Sequence, residues 1–389
     1  MPIPDRGLLI FGTAITLCWV GSLRAYGPVG HEIVGAIADE RLAGTSTGEK
    51  VKTLLAGISL QKASVIADEI KGWDKNGVDD PKAFHYSTHP TIDVQLGDFW
   101  RANQPTHDPN SPNPSHHWFH YTDVPVARAE KYADGNAGRS NWDVVHMIPY
   151  CVDVLRGRTP EQNDRKITKP IAIILLAHYV GDIHQPLHVG AQYFDTDGHA
   201  VDPGKTKSSL ADEGGNTFTL ELTDDPPRGR GMHKRKFHGF WDLDAVNMLL
   251  PQLPDTLGKE ERRAQMQAAE KALAHEMANK EPKNWKLPPD VPIEKYAEAW
   301  ADEILPIARE AHDRVIFKNV APLPQEGRVV AAGEAEEKQG ADSGAYRRWA
   351  SGIVREELHK AGWRLADLLE KSLSSADKPT TPSASDSGN

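Results

Sequence analysis

Apolar residues recur at helical spacing along most of this chain, and one run is apolar on every side. After Tyr26, Ile33, Val34, Ile37, Ala38 and Leu42 form a stripe that predicts a helix opening beside His31. A second helix is expected over about 49–55, and 63–71 reads as an amphipathic helix that sets Asp68 among apolar neighbours. Ile171 to Leu176 is continuously apolar, so the helix expected over 169–183 is a buried one, ended by Pro186. Further helices are predicted over 141–155, from Phe237, and over 264–278, 293–315 and 346–373. Thr217 to Leu222 alternates enough for a strand of a small β-hairpin.

The intervening stretches are polar. Residues 76–117 are rich in Asn, Pro, Asp and His and read as irregular loop, with His85, His89, His107, His116 and His117 solvated. Phe119 to Asp123 closes that loop as a short extended segment. Residues 322–345 read as a surface insertion, and 374–389 form a Ser/Pro/Asp tail with nothing to bury. The pattern is that of a mainly α protein in one domain, without internal repeats.

Composition changes this picture in three places. The 389 residues carry a formal charge of −10, so no basic face announces a sequence-reading nucleic-acid binder. A hydrolase of nucleic acids stays open, because bound cations supply positive charge that the formal count omits. Near the start, Arg6 precedes an apolar run from Gly7 to Leu23 and then small residues, which reads as a signal peptide over 1–25. The run is short of the roughly 20 residues a membrane span needs, so the expected product is secreted or periplasmic, with no anchor after cleavage. Cys18 would leave with that signal, and Cys151 alone cannot form an internal disulfide.

The chemistry concentrates at the end of the buried helix. His178 and Asp182 are four residues apart and share a face, and Pro186 lets His188 fold back toward them. Imidazoles and a carboxylate buried unpaired are costly, and a zinc ion accepts these ligand types. The alternative is a set of core histidines satisfied by backbone carbonyls. His238 and Asp242 repeat the four-residue spacing at a helix start.

With Gly30-His31, Ala67-Asp68, His120-Tyr121, the stretch from His178 to His188, Gly214-Gly215-Asn216, His238-x-x-Trp241-Asp242 and Ala361 to Ala366 in this order, the chain resembles the zinc-dependent type I nucleases. These are the fungal S-one/P-one nucleases and their relatives, distant cousins of bacterial phospholipase C. The resemblance covers roughly 26–369 and implies the multi-helix phospholipase C/P-one nuclease-like fold around a trinuclear zinc cluster. It further implies one zinc on Asp68, His120, His178 and Asp182, and a partner zinc on His31, the shared Asp182 and the amine and carbonyl of Tyr26. A third zinc would take His188, His238 and Asp242. Catalytic roles would fall to Asp68, Asp182, Lys71 and Asp123, and substrate contacts to Tyr121, Asn216 and Lys71. Tyr121 would stack a base, and Asp123 would orient Lys71 or accept a base-edge hydrogen bond. His184 is expected behind the ligands and not among them.

Two positions depart from the family pattern: Tyr26 stands where Trp is usual, and Lys71 where Arg is usual. Lysine neutralises a phosphate as a point charge without the bidentate fork, and Lys71 is otherwise read as a solvated helix position. The expected activity is hydrolysis of single-stranded RNA and DNA to 5′-phosphate products, with 3′-nucleotidase activity in addition. No stable protein partner is implied. The alternatives are a phospholipase C-type phosphodiesterase on the same metals and a non-catalytic zinc-binding periplasmic protein.

Overall fold

The computed structural model describes residues 26–105, 115–220, 235–331, the backbone of 335–337, and 346–374. The expected signal segment 1–25, His107 and nearly all of the expected tail lie outside the described residues. The family fold expected above is observed: the described chain is mainly helical with short strands.

The chain is built around α6, Lys169–Asp182. The Thr168 hydroxyl caps it by accepting from the Ile171 N–H, and Pro170 lies in its first turn. Every residue from Ile171 to Asp182 is buried, so α6 has no solvated face and serves as the core itself. Around it pack α1 (Gly27–Leu42), α3 (Leu60–Glu69), α5 (Val144–Leu155) and the long helix Tyr346–Leu373, and α2 (Ser46–Leu54) touches α1, α6 and that long helix. Polar contacts fix α1 against α3. The Asp39 carboxylate accepts the Leu60 and Gln61 N–H groups at 2.9 Å each, and Ser64 Oγ donates to the His31 carbonyl at 2.8 Å. These contacts hold Asp68 and His31 at one end of the bundle.

Two short strands bring the remaining site segments together. β1 (Val124–Pro125) lies parallel to β2 (Gly190–Ala191), and the Thr122 N–H donates to the His188 carbonyl at 2.8 Å. The chain just after His120 is thereby fastened to the chain around His188.

Several polar stretches are more ordered than their composition suggests. Within 76–117 lies α4, Pro90–Ala102, which buries Ile92, Leu96, Phe99 and Trp100 at helical spacing. The segment before Tyr121 is a 3₁₀ turn, His116–His120, and not an extended one. The expected insertion contains an antiparallel hairpin, Val320–Leu323 with Arg328–Ala331, anchored by the buried Val329. The helix expected over 293–315 ends at Asp313, and Val315–Phe317 is a strand paired with Ala335–Glu337. The expected small hairpin pairs Thr219–Leu220 with Arg235–Lys236.

Candidate metal centre and substrate pocket

Eight buried His and Asp side chains converge at the end of α6. Their ligating atoms fall into three groups: His31 with His178 and Asp182, Asp68 with His120 and His178, and His188 with His238 and Asp242. His31 comes from α1, Asp68 from α3 and His178 with Asp182 from α6. His120 and His188 sit in 3₁₀ turns, the second formed by Pro186–His188. His238 and Asp242 lie on a short helical segment whose middle, Phe240–Asp244, is a π-turn.

Asp182 stands between the first two groups. Its Oδ2 is 3.0 Å from His120 Nδ1 and 3.4 Å from His178 Nε2, while its Oδ1 is 3.4 Å from His31 Nε2. His31 and His178 stack with ring centroids 3.8 Å apart. The approach of α1 to α6 at this point needs Gly181, where a Cβ would lie 2.7 Å from His31 Nδ1.

The hydrogen positions are dictated by the backbone. A carbonyl only accepts, so the contacts of His178, His188 and His238 Nδ1 with the carbonyls of Ser64, His120 and Gly214 at 2.6, 2.8 and 2.8 Å place a proton on each Nδ1. Burial holds His178 and His188 well below the usual imidazole range and brings His238 to about 4, so their Nε2 atoms carry lone pairs. Yet His188 Nε2 and His238 Nε2 face each other at 3.0 Å, and His178 Nε2 lies 3.0 Å from His120 Nδ1, which is equally close to Asp182 Oδ2. Both nitrogens of His31 and Oδ1 of Asp182 are buried without a hydrogen bond. Converging lone pairs and orphaned polar atoms fit divalent cations in these groups, and a donor set of imidazole and carboxylate without thiolate suits zinc. The core-histidine alternative accounts for the Nδ1 contacts but not for the opposed Nε2 atoms.

His184 differs from these rings in a telling way. Its Nδ1–H goes to the Val180 carbonyl at 2.6 Å, but its Nε2 accepts from Arg364 Nη1 at 2.9 Å, so its lone pair is taken. Arg364 in turn reaches Glu303, which ties the Ala361 to Ala366 motif to the turn after α6. Gln185 does a similar task by donating to Asp242 Oδ1 at 2.9 Å. The Tyr26 hydroxyl donates to the His184 carbonyl at 2.6 Å, and the Tyr26 N–H lies against Asp242. Tyr26 has a left-handed backbone, with φ 34.

A pocket opens beside the second and third groups, walled by Lys71, His117, Tyr121, Asp123, Glu213 and Asn216. Lys71 is buried and paired with Asp68 at 2.7 Å, which overturns its reading as a solvated helix position. Although burial opposes it, the Lys71 ammonium helps hold the Asp68 carboxyl below its ordinary range. Asp123 shares the pocket with Lys71, and burial, then the nearby Asp212 and Glu213, push its carboxyl up to about 8. Asn216 donates from Nδ2 to the Glu213 carbonyl at 2.8 Å. The preceding Gly214 has φ +57, and a Cβ there would meet the Leu187 carbonyl at 2.1 Å, so only glycine lets this loop close on the pocket.

Some readings of the polar loop are corrected. His116 is buried, not solvated, and both it and His117 contact Asp74. Glu213, beside the Gly214-Gly215-Asn216 motif, and Gln185, inside the His178 to His188 stretch, carry no signal of their own in the sequence.

The S1/P1 Nuclease family model matches residues 26–374. Among characterised proteins, the chain is similar to Endonuclease 1 of Arabidopsis thaliana, 24% identical over 252 residues that cover 62% of this chain and 60% of that protein. Endonuclease 2 of the same plant is 24% identical over 249 residues, covering 62% of this chain and 64% of that protein. Endonuclease 4 is 25% identical over 179 residues, covering 43% and 50%. The chain thus spans 50 to 64% of the length of the curated relatives it matches.

Proposed function

Because the chain belongs to the S1/P1 nuclease family, we propose that it is a zinc-dependent endonuclease. It hydrolyses phosphodiester bonds of single-stranded RNA and DNA to 5′-phosphate products and removes 3′-phosphates from nucleotides. The observation that carries this reading is the opposition of the His188 and His238 Nε2 lone pairs at the floor of a pocket walled by an aromatic ring and polar side chains.

Zinc ions bound there supply positive charge at the phosphate and a water acidic enough to act near neutral pH. His31 and Asp182 belong to one ligand set, Asp68, His120, His178 and the shared Asp182 to a second, and His188, His238 and Asp242 to a third. The Asp182 carboxylate, with one oxygen toward each of the first two sets, holds them in fixed relation. Tyr26 joins the first set through its backbone if the chain is cleaved after Ala25.

The chain's own side chains then bind and orient. The Tyr121 ring stacks a base without regard to sequence. Asp123 accepts a base-edge hydrogen bond beside Asn216. Lys71 balances phosphate charge as a point cation.

We assign residues 26–373 to one nuclease domain, 322–345 within it to an insertion and 374–389 to a tail, with 1–25 as an export signal. Among the described residues, no helix is long and apolar enough to cross a membrane. Metal analysis with product mapping on single-stranded DNA, RNA and a phosphatidylcholine tests the proposal. Three zincs and 5′-phosphorylated fragments are expected. Cleavage of the lipid alone would favour a phospholipase, and zinc without any hydrolysis a storage protein.

A further inference from the structure

A second histidine–carboxylate cluster stands at the pocket wall and belongs to none of the three ligand groups. Asp74 Oδ1 accepts the Trp100 Nε1–H at 2.7 Å and lies 3.1 Å from His116 Nε2, and its Oδ2 lies 2.5 Å from His117 Nε2. The atoms are close enough to hold a cation. Their hydrogen pattern, however, is the reverse of that at the metal centre.

At the metal centre His178, His188 and His238 spend their Nδ1–H on a backbone carbonyl and turn a lone pair inward. Neither His116 nor His117 makes such a bond among the described residues, and the buried His116 Nδ1 has no partner. Both rings can therefore give Nε2–H to Asp74, and with Trp100 they provide the three donors an anionic carboxylate favours. Although burial opposes it, these hydrogen bonds hold the Asp74 carboxyl well below the usual range. A cation here would force the His116 proton onto Nδ1, leaving a buried N–H unsatisfied.

His116 is enclosed, but the His117 side chain is 37% exposed and lines the pocket beside Lys71 and Tyr121. That wall also carries the Asp123 and Glu213 carboxyls, and the Lys71 ammonium is paired with Asp68. The geometry points to His117 as a phosphate-binding residue for the substrate chain, with Asp74 as its positioning residue. The imidazolium form offers Nδ1–H to a non-bridging phosphate oxygen, and Asp74 across the ring balances its charge. This rests on reading the pocket as that of a nuclease.

The test measures cleavage of a single-stranded deoxyoligonucleotide by the holoenzyme at about pH 5.5, between about 50 and 200 mM salt. Metal content and thermal unfolding accompany each variant. One lost ionic contact lowers the slope of log(kcat/KM) against log salt by about 0.7 in His117→Ala and raises KM about five-fold. His117→Arg restores the slope, because it restores the charge. Asp74→Asn raises KM about two-fold with its metal content intact. Should His117→Ala fail to fold, His117→Gln gives the same readout, since it keeps a donor to Asp74 without the charge. An unchanged slope in a variant that still cleaves overturns the inference and leaves the nuclease reading standing. Loss of an ion from both His117→Ala and Asp74→Asn overturns it too, by making the cluster a metal site. A wild-type chain that cleaves no polynucleotide overturns the nuclease reading and this inference together.

Discussion

His188 and His238 aim their Nε2 lone pairs at each other across 3.0 Å, while each gives its Nδ1–H to a carbonyl 2.8 Å away. With Asp242 Oδ2 3.6 Å from His238 Nε2, this buried set is repulsive unless a cation or an extra proton sits inside it. Chelation should therefore lower the melting temperature. An ion bound only by the folded chain at a thousand times its Kd contributes about 4 kcal/mol. Calorimetry of metal-loaded and chelated protein checks this, and equal melting temperatures would remove the case for structural metal.

Gly181→Ala separates helix propensity from the site. In an ordinary helix interior the change would stabilise by about 1 kcal/mol. Here the new Cβ meets His31 Nδ1 at 2.7 Å and Cε1 at 3.0 Å, so His31 must shift. The variant should lose an ion and about 1–3 kcal/mol of stability. Elemental analysis and denaturant unfolding give both numbers; a more stable variant with full metal would show that α1 yields freely.

Tyr121→Ala should weaken oligonucleotide binding by about 1–3 kcal/mol and barely affect hydrolysis of a small phosphodiester without a base. Tyr121→Phe should behave like wild type, since stacking needs only the ring. Equal losses on both substrates would assign the ring to packing.

The start of the chain matters if Tyr26 contributes backbone ligands. The Tyr26 side chain is anchored through its hydroxyl on the His184 carbonyl, which fixes its backbone beside Asp242. An exported protein beginning at Tyr26 should turn over far faster than one beginning Met-Tyr26, with excess zinc in both assays. Intact mass confirms each start. Equal turnover would exclude an N-terminal ligand.

A buried histidine–carboxylate pair behind the pocket wall predicts a pH effect. His312 Nε2 is 2.9 Å from Asp212 Oδ2, and its Nδ1–H goes to the Ala308 carbonyl. Burial disfavours its charge, but the Asp212 carboxylate outweighs that and raises the imidazole above its ordinary value of 6.5. A raised folded value means the stabilisation is complete below about pH 6.5 and fades as pH climbs through the folded value. Asp212→Asn should therefore shrink the stability difference between about pH 6 and pH 9. Urea midpoints of both chains at both pH values measure it, and an unchanged difference would show His312 neutral throughout.

What the sequence determines here is what short range dictates. Period and composition alone set α6 apart as a core helix, because residues that are apolar on every side can only be buried. The four-residue spacings of His178 with Asp182 and of His238 with Asp242 follow from helix geometry. Helix α4 was equally written in Ile92, Leu96, Phe99 and Trp100, but its Pro- and Asn-rich flanks masked the stripe. Tertiary structure decided what depends on distant partners. Whether His117 is solvated or held depends on Asp74, 43 residues away, and whether Lys71 is exposed depends on how the 3₁₀ turn after α3, Ile70–Trp73, folds against the site. The tautomers were likewise invisible in sequence, since the carbonyls that fix them come from residues 114, 68 and 24 positions distant. Periodicity records which face of an element is buried; it does not record which backbone oxygen waits there.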